Sequence, residues 1–278
     1  MQTQQQYEKP QFAMMSVSPE TARRWLQRND SNRSIRRARV SQYARDMRDG
    51  NWTFSNDAIC FSIEGRLLNG QHRLNAVVEA GVPVTILVGK NIPESSMTTM
   101  DTGAARTPGD ALHLTGHKNA NILASTAKFL IIYERDLLSA NTAHYRVSNS
   151  EIAEFIEAYP QIEWSVDFAG KNSRHIDCGP SPVAIAHFLI AGRCGQEVAN
   201  DYLGALASRV GLEEGDPVIA VDNRLRILRT NKSRPAVKFL VDLLIRGFNH
   251  RQQGKAIKSL QLKSGTAFVL ATPKVVSS

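Results

Sequence analysis

Asn69-Gly70-Gln71-His72-Arg73 places five polar or small residues in a row at the start of an amphipathic helix. Leu74, Val77 and Val78 follow at i, i+3 and i+4, and Gly81 stops the helix. Asn69 reads as the N-cap, and Gly70 as a residue that lets a ligand approach the backbone. The N–H groups of a first helical turn lack intrahelical partners, and the helix dipole favours an anion beside them. Gln71 offers a neutral amide, His72 a donor able to carry charge, and Arg73 a permanent fork suited to phosphate. The residues therefore suit a polyphosphate cradle. The competing reading is an ordinary capped helix with solvated polar residues. Phosphate chemistry would also use a base or a carboxylate for Mg²⁺. The candidates are Asp57, ahead of the preceding strand, and Asp101, in the turn Asp101-Thr102-Gly103. Against them stand a plain surface acid and an Asx-turn. One Asp-Thr-Gly cannot supply the two facing carboxylates of an aspartic protease.

The elements that must position this box are legible on both sides of it. A strand is expected over Ala58–Ile63, then a Glu64-Gly65 turn, the helix, and a strand over Val82–Val88. Upstream, Phe12–Val17 reads as a short strand. Ser18-Pro19-Glu20 opens a helix to Arg28 anchored by Trp25 and Leu26. Val40, Tyr43, Ala44 and Met47 mark a helix from Arg37 to Asp49, ended by Gly50. Trp52 and Phe54 read as core plugs flanking the central strand.

From Asn119 onward the pattern is helical. Helices are expected over 121–138, from a Ser148-x-x-Glu151 capping box to Tyr159, and over 181–190, 197–210, 217–229 and 233–248. A late strand over 267–271 is also expected. The expected organisation is a disordered tail over 1–11, an α/β unit over 12–115 and an all-α domain over 116–278. No internal repeat is visible.

Asn69-Gly70-Gln71-His72-Arg73 resembles the Asp-Gly-Gln-His-Arg box of the ParB/sulfiredoxin-like superfamily. The chain looks like the phage and bacterial proteins labelled "ParB-like nuclease domain". The resemblance covers Ser16–Val88, then continues more weakly through Met100–Gly103 and around Arg246-Gly247-Phe248-Asn249. It implies an α/β (α+β) ParB/sulfiredoxin-like N-terminal domain that binds nucleotide phosphates, from ATP or CTP with Mg²⁺, at Asn69, Gly70, Gln71, His72 and Arg73. Arg33, Arg36 and Arg37 fall where the superfamily has a loop that meets the same phosphates. Contact with DNA, or solvation, remains open for these three. The chain departs from several members. Gln71 stands where sulfiredoxin needs a Cys, and Asn69 replaces the Asp of the serine kinase box. No carboxylate cluster or His pair near the box supports phosphodiester hydrolysis.

The chain has 278 residues, 42% hydrophobic and 22% charged, enough for two small domains. No apolar run spans a bilayer and no secretion signal opens the sequence. Cys60, Cys178 and Cys194 are odd in number and widely spaced, which fits inert thiols in a reduced cytoplasm. The histidines show no metal-ligand spacing, so no metal site is expected from them.

The net charge of +8 is unevenly placed. Residues 23–48 carry net +7 and residues 224–258 net +9, which leaves the rest of the chain at −8. Basic segments on an acidic body point to DNA or another nucleic acid, with solvated basic helices as the alternative. Arg45 and Arg48 on the first segment, and Arg224, Arg226, Arg229, Lys232 and Arg234 on the second, are the candidate contacts. The leading expectation is a nucleoside-triphosphate-binding protein acting on or with DNA, as an NTPase or ATP-dependent kinase. The alternative is a regulatory or partition-like DNA binder that uses nucleotide as a conformational ligand.

Overall fold

A computed structural model describes residues 9–29, 34–98, 107–138, 145–230, 235–260 and 271–275. The chain divides into two compact units, Met1–Ala105 with Thr142–Ser150, and Arg106–Asn141 with Glu151–Ser278.

The first unit is a mixed sheet with helices on one face. Its strands are β1 (Gln11–Val17), β2 (Ile59–Ser62), β3 (Leu67–Asn69) and β4 (Val84–Ile92), in the order β1-β4-β2-β3. β4 runs antiparallel to β1 and parallel to β2, and β2 pairs antiparallel with β3. The helices are α1 (Pro19–Leu26), α2 (Arg37–Arg48) and α3 (Gln71–Ala80). Ser18 caps α1 by accepting the Thr21 N–H at 3.1 Å, with Pro19 at the first helical position, as the sequence predicts.

Alternation along the strands sorts the side chains. Val17, Ile59, Phe61, Leu67, Val84, Ile86 and Val88 meet the apolar stripes of the helices: Trp25 from α1, Val40, Ala44 and Met47 from α2, and Leu74 and Val77 from α3. Ala58, Cys60, Leu68 and Ile92 form a smaller cluster with Leu87. β2 is buried along its whole length, so its entry and exit are fixed points.

Trp52 is partly buried against this core, with its ring edge-on to Tyr43 at 5.3 Å, but Phe54 is 64% exposed. Only one of the two expected plugs is a plug. The missed strand β3 has three residues, too few to show a period of two.

The second unit is helical among the described residues: α4 (Pro108–Leu114), α5 (Ala120–Glu134), α6 (Asn149–Ala158), α7 (Ile162–Asn172), α8 (Pro180–Cys194), α9 (Gln196–Ser208), α10 (Pro217–Thr230) and α11 (Val237–Gln252). α8 is its axis. Val183, Ala184, Ile185, Ala186 and Ile190 have no exposed surface, and α5, α7, α9 and α11 surround it. A helix apolar on every side must be enclosed on every side.

α4 was not anticipated, although its Thr107 and Asp110 form a capping box: Asp110 N–H donates to Thr107 Oγ1 at 3.2 Å and Thr107 N–H to Asp110 Oδ2 at 2.8 Å. α4 belongs to the second unit, ahead of the boundary expected at 115. Of the expected strand 267–271, all but Ala271 lies outside the described residues. No helix among the described residues is long and apolar enough to cross a membrane.

Candidate functional site

The box begins one residue later than its N-cap expectation. Asn69 ends β3 and its Oδ1 accepts the Gly70 N–H at 2.7 Å. Gly70, at φ +102°, is the N-cap of α3, and no side chain caps the helix. A Cβ on Gly70 would stand 2.8 Å from Ile59 Cγ1 and 3.1 Å from Ile59 Cα. A close approach to Ile59 of β2 therefore demands glycine here.

Gln71, His72 and Arg73 are 4%, 6% and 8% exposed, so each needs an internal partner. Gln71 Oε1 accepts from the Asn29 side-chain amide at 3.2 Å. His72 Nε2 accepts the Arg36 backbone N–H at 3.0 Å. A ring nitrogen that accepts carries no proton, so His72 accepts through Nε2 here instead of donating through it. Arg73 Nη2 donates to the Ala58 carbonyl at 3.2 Å, at the entry to β2. The guanidinium expected to grip phosphate is a strut between α3 and the sheet.

These bonds assemble something the sequence did not show. Arg36 is the N-cap of α2, again without a side-chain cap, and its N–H lies on His72 in the first turn of α3. Two helix N-termini thus meet at one hydrogen bond, and both dipoles present their positive ends there. Arg36 and Arg37 are exposed at this junction. Asp57 is exposed and lies one residue before Ala58, whose carbonyl Arg73 holds. Arg33 and Asp101 lie outside the described residues.

The arginines expected to meet nucleic acid are largely engaged within their own units. Arg45 lies over the Tyr145 ring at 4.5 Å and donates to the Arg146 carbonyl. Arg48 Nη2 donates to the Glu79 carbonyl at 3.1 Å near the end of α3. Arg226 pairs with Asp222 at 2.9 Å, and Arg229 with Asp177. Arg224 is half-buried, with a buried Nε that has no partner among the described residues. Lys232 and Arg234 lie outside them. Asp177 and Asp222 fall outside the segment counted as +9, so the count along the chain overstates the local charge.

Sequence reasoning missed a buried relay in the helical unit. Ser165 Oγ lies 2.8 Å from His187 Nδ1, and His187 Nε2 lies 2.9 Å from Asn200 Oδ1. The residue types suit nucleophilic chemistry. Ser165 is 1% and His187 0% exposed, however, so no substrate reaches the hydroxyl. Burial lowers the His187 pKa, opposed by the bond to Asn200, and the ring is a neutral core group. Its partners sit on three separate helices, so no local spacing announces it.

None of the three cysteines is in a disulfide. Burial, aided by Asp177, pushes Cys178 up to about 12, which leaves it unreactive. Among the described residues no three His, Cys, Asp or Glu side chains group as metal ligands. Comparisons with family models, curated proteins and solved structures find no match to this chain.

Proposed function

We propose that the protein binds a nucleoside triphosphate, ATP or CTP, where α2 and α3 begin, and works with nucleic acid in the cytoplasm as a regulatory protein of ParB/sulfiredoxin-like fold. One observation carries the reading: the Arg36 N–H to His72 Nε2 bond that joins two helix N-termini without side-chain caps, beside exposed Arg36 and Arg37. That arrangement suits an anion, which the dipoles and two guanidinium groups favour together. Arg36 and Arg37 would hold phosphate oxygens, and Gln71, His72 and Arg73 would hold the helix start in place from behind. A phosphate gripped by Arg36 pulls on the start of α2, the segment that the Arg36 N–H latches to His72. Nucleotide occupancy thereby becomes a change in that segment, which is how a conformational ligand acts.

A second reading, phosphotransfer or NTP hydrolysis, is favoured by Asp57 alone. It is exposed and adjacent to the carbonyl that anchors Arg73. In that reading Asp57 would help hold Mg²⁺, which would supply neutralisation of the phosphate charge. Calorimetric titration with ATP, CTP, GTP and UTP plus Mg²⁺ tests the proposal, with Arg36→Ala/Arg37→Ala as control. Saturable binding that the double variant loses supports it, and turnover that Asp57→Asn removes while binding persists selects the second reading. No binding of any nucleotide refutes both.

A further inference from the structure

Arg246 and Asn249, from the late stretch that the sequence sets apart, line an open cavity of about 820 Å³ in the second unit. Arg193 from the end of α8, His250 from the end of α11, Lys255 beyond that helix, and Lys274 complete its basic lining.

The cavity is held from behind. Asp242, 1% exposed, accepts the Ala271 N–H at 2.8 Å through Oδ1 and Arg246 Nε at 2.7 Å through Oδ2. The Asn249 side chain donates to the Thr272 carbonyl at 2.9 Å and accepts the Lys274 N–H at 2.7 Å. Residues 271–275 are thereby pinned to α11. Gly247 lets α11 lie close to its neighbours, since a Cβ there would stand 2.3 Å from Val221 Cγ2 and 2.6 Å from Tyr202 Oη.

Charge decides what fits. Arg193, Lys255 and Lys274 have no side-chain partner among the described residues, and Arg246 uses only Nε. His250 Nδ1 is buried without a partner among them. Two helix C-termini, each worth roughly half a negative charge, and Asp242 oppose the four cations, which leaves about two positive charges in the cavity. Arg226 and Arg229 are paired with acids, as Arg246 is with Asp242, whereas among the described residues Arg193, Lys255 and Lys274 are not. Arg193 and Lys274, from outside the basic segment, join Arg246 and Lys255 of that segment here. No Phe, Tyr or Trp lines the cavity, so it offers no platform for stacking a base.

We propose that this cavity is a phosphate site that takes the phosphodiester backbone of a nucleic-acid strand without reading its bases. The proposal rests on the nucleic-acid half of the function above and is independent of nucleotide binding at α3. Its phosphates could also be those of a free nucleotide, and the test separates the two.

The test is fluorescence anisotropy of a labelled oligothymidylate with the full chain and with Arg193→Gln/Lys274→Gln, across a fourfold rise in salt. Both side chains are exposed, so the variant keeps its fold, which equal thermal melting verifies. Loss of two single-strand phosphate contacts lowers the slope of log K against log salt by about 1.4, so binding by the variant weakens about sevenfold less than wild type. Lys255→Gln lowers the slope by about half as much. Equal slopes overturn the proposal. So does a variant that loses ATP affinity while oligothymidylate binding is unchanged. Failure of the α3 reading appears elsewhere, in the nucleotide titration of Arg36→Ala/Arg37→Ala.

Discussion

Gly70→Ala bears directly on whether α3 is seated as described. Two terms add. The left-handed backbone at φ +102° costs a non-glycine residue about 1–2 kcal/mol. The new methyl would meet Ile59 Cγ1 at 2.8 Å and Ile59 Cα at 3.1 Å, and Ile59 is fully buried. Backbone of a central strand cannot step aside, and overpacking of this kind costs about 1–3 kcal/mol. The expected loss is therefore about 2–5 kcal/mol. Gly81→Ala, at the other end of α3, isolates the contact. Its φ is +75° with no atom within 4 Å of the added Cβ, so only the backbone term of about 1–2 kcal/mol applies. The assay is urea unfolding followed by tryptophan fluorescence in a Trp164→Phe background. Trp164 is 58% exposed on α7, and its removal leaves Trp25 and Trp52, both of the first unit, as reporters. An unchanged m-value assigns the effect to stability. If Gly70→Ala costs no more than Gly81→Ala, the seat of α3 on Ile59 is wrong, and with it the placement of the whole box.

Arg73→Ala removes a charged hydrogen bond to a buried carbonyl and destabilises the first unit by about 1.5–3 kcal/mol in the same assay. Arg36→Ala/Arg37→Ala changes stability by no more than about 0.5 kcal/mol at each exposed position, so equal losses in the two variants would contradict the assignment of strut and contact. Stability should also depend on pH through His187, whose folded pKa is lowered below the ordinary imidazole value of 6.5. As pH falls through that value the unfolded chain gains a proton that the folded chain refuses. Stability then falls by up to about 1.4 kcal/mol per pH unit until the folded value is reached, and is fully present above 6.5. His187→Gln should lack this component, and an unchanged slope in that variant would remove His187 as its source.

Local periodicity made much of the fold legible. Val40, Ala44 and Met47, or Leu240, Val241 and Leu244, state a buried helix face without help from distant residues. β3 and α7 escaped because three residues carry no period, and Ile162–Asn172 mixes polar and apolar residues without a cap signal. The box was found from its residue types, but its orientation was not. Whether a polar side chain turns in or out depends on partners far along the chain: Asn29 for Gln71, Arg36 for His72, Ala58 for Arg73. The same holds for charge. Asp177 and Asp222 neutralise arginines that counting along the segment leaves bare, while Arg193 and Lys274 join a basic cavity from elements far apart in sequence.

Hydrogen–deuterium exchange with and without nucleotide and Mg²⁺ locates the site itself. The account predicts slower exchange at residues 34–38 and 70–74 when ATP or CTP is bound, with the 246–255 and 271–275 segments unchanged. Protection confined to those later segments, or none at either helix start under saturating nucleotide, would contradict a nucleotide site where α2 and α3 begin.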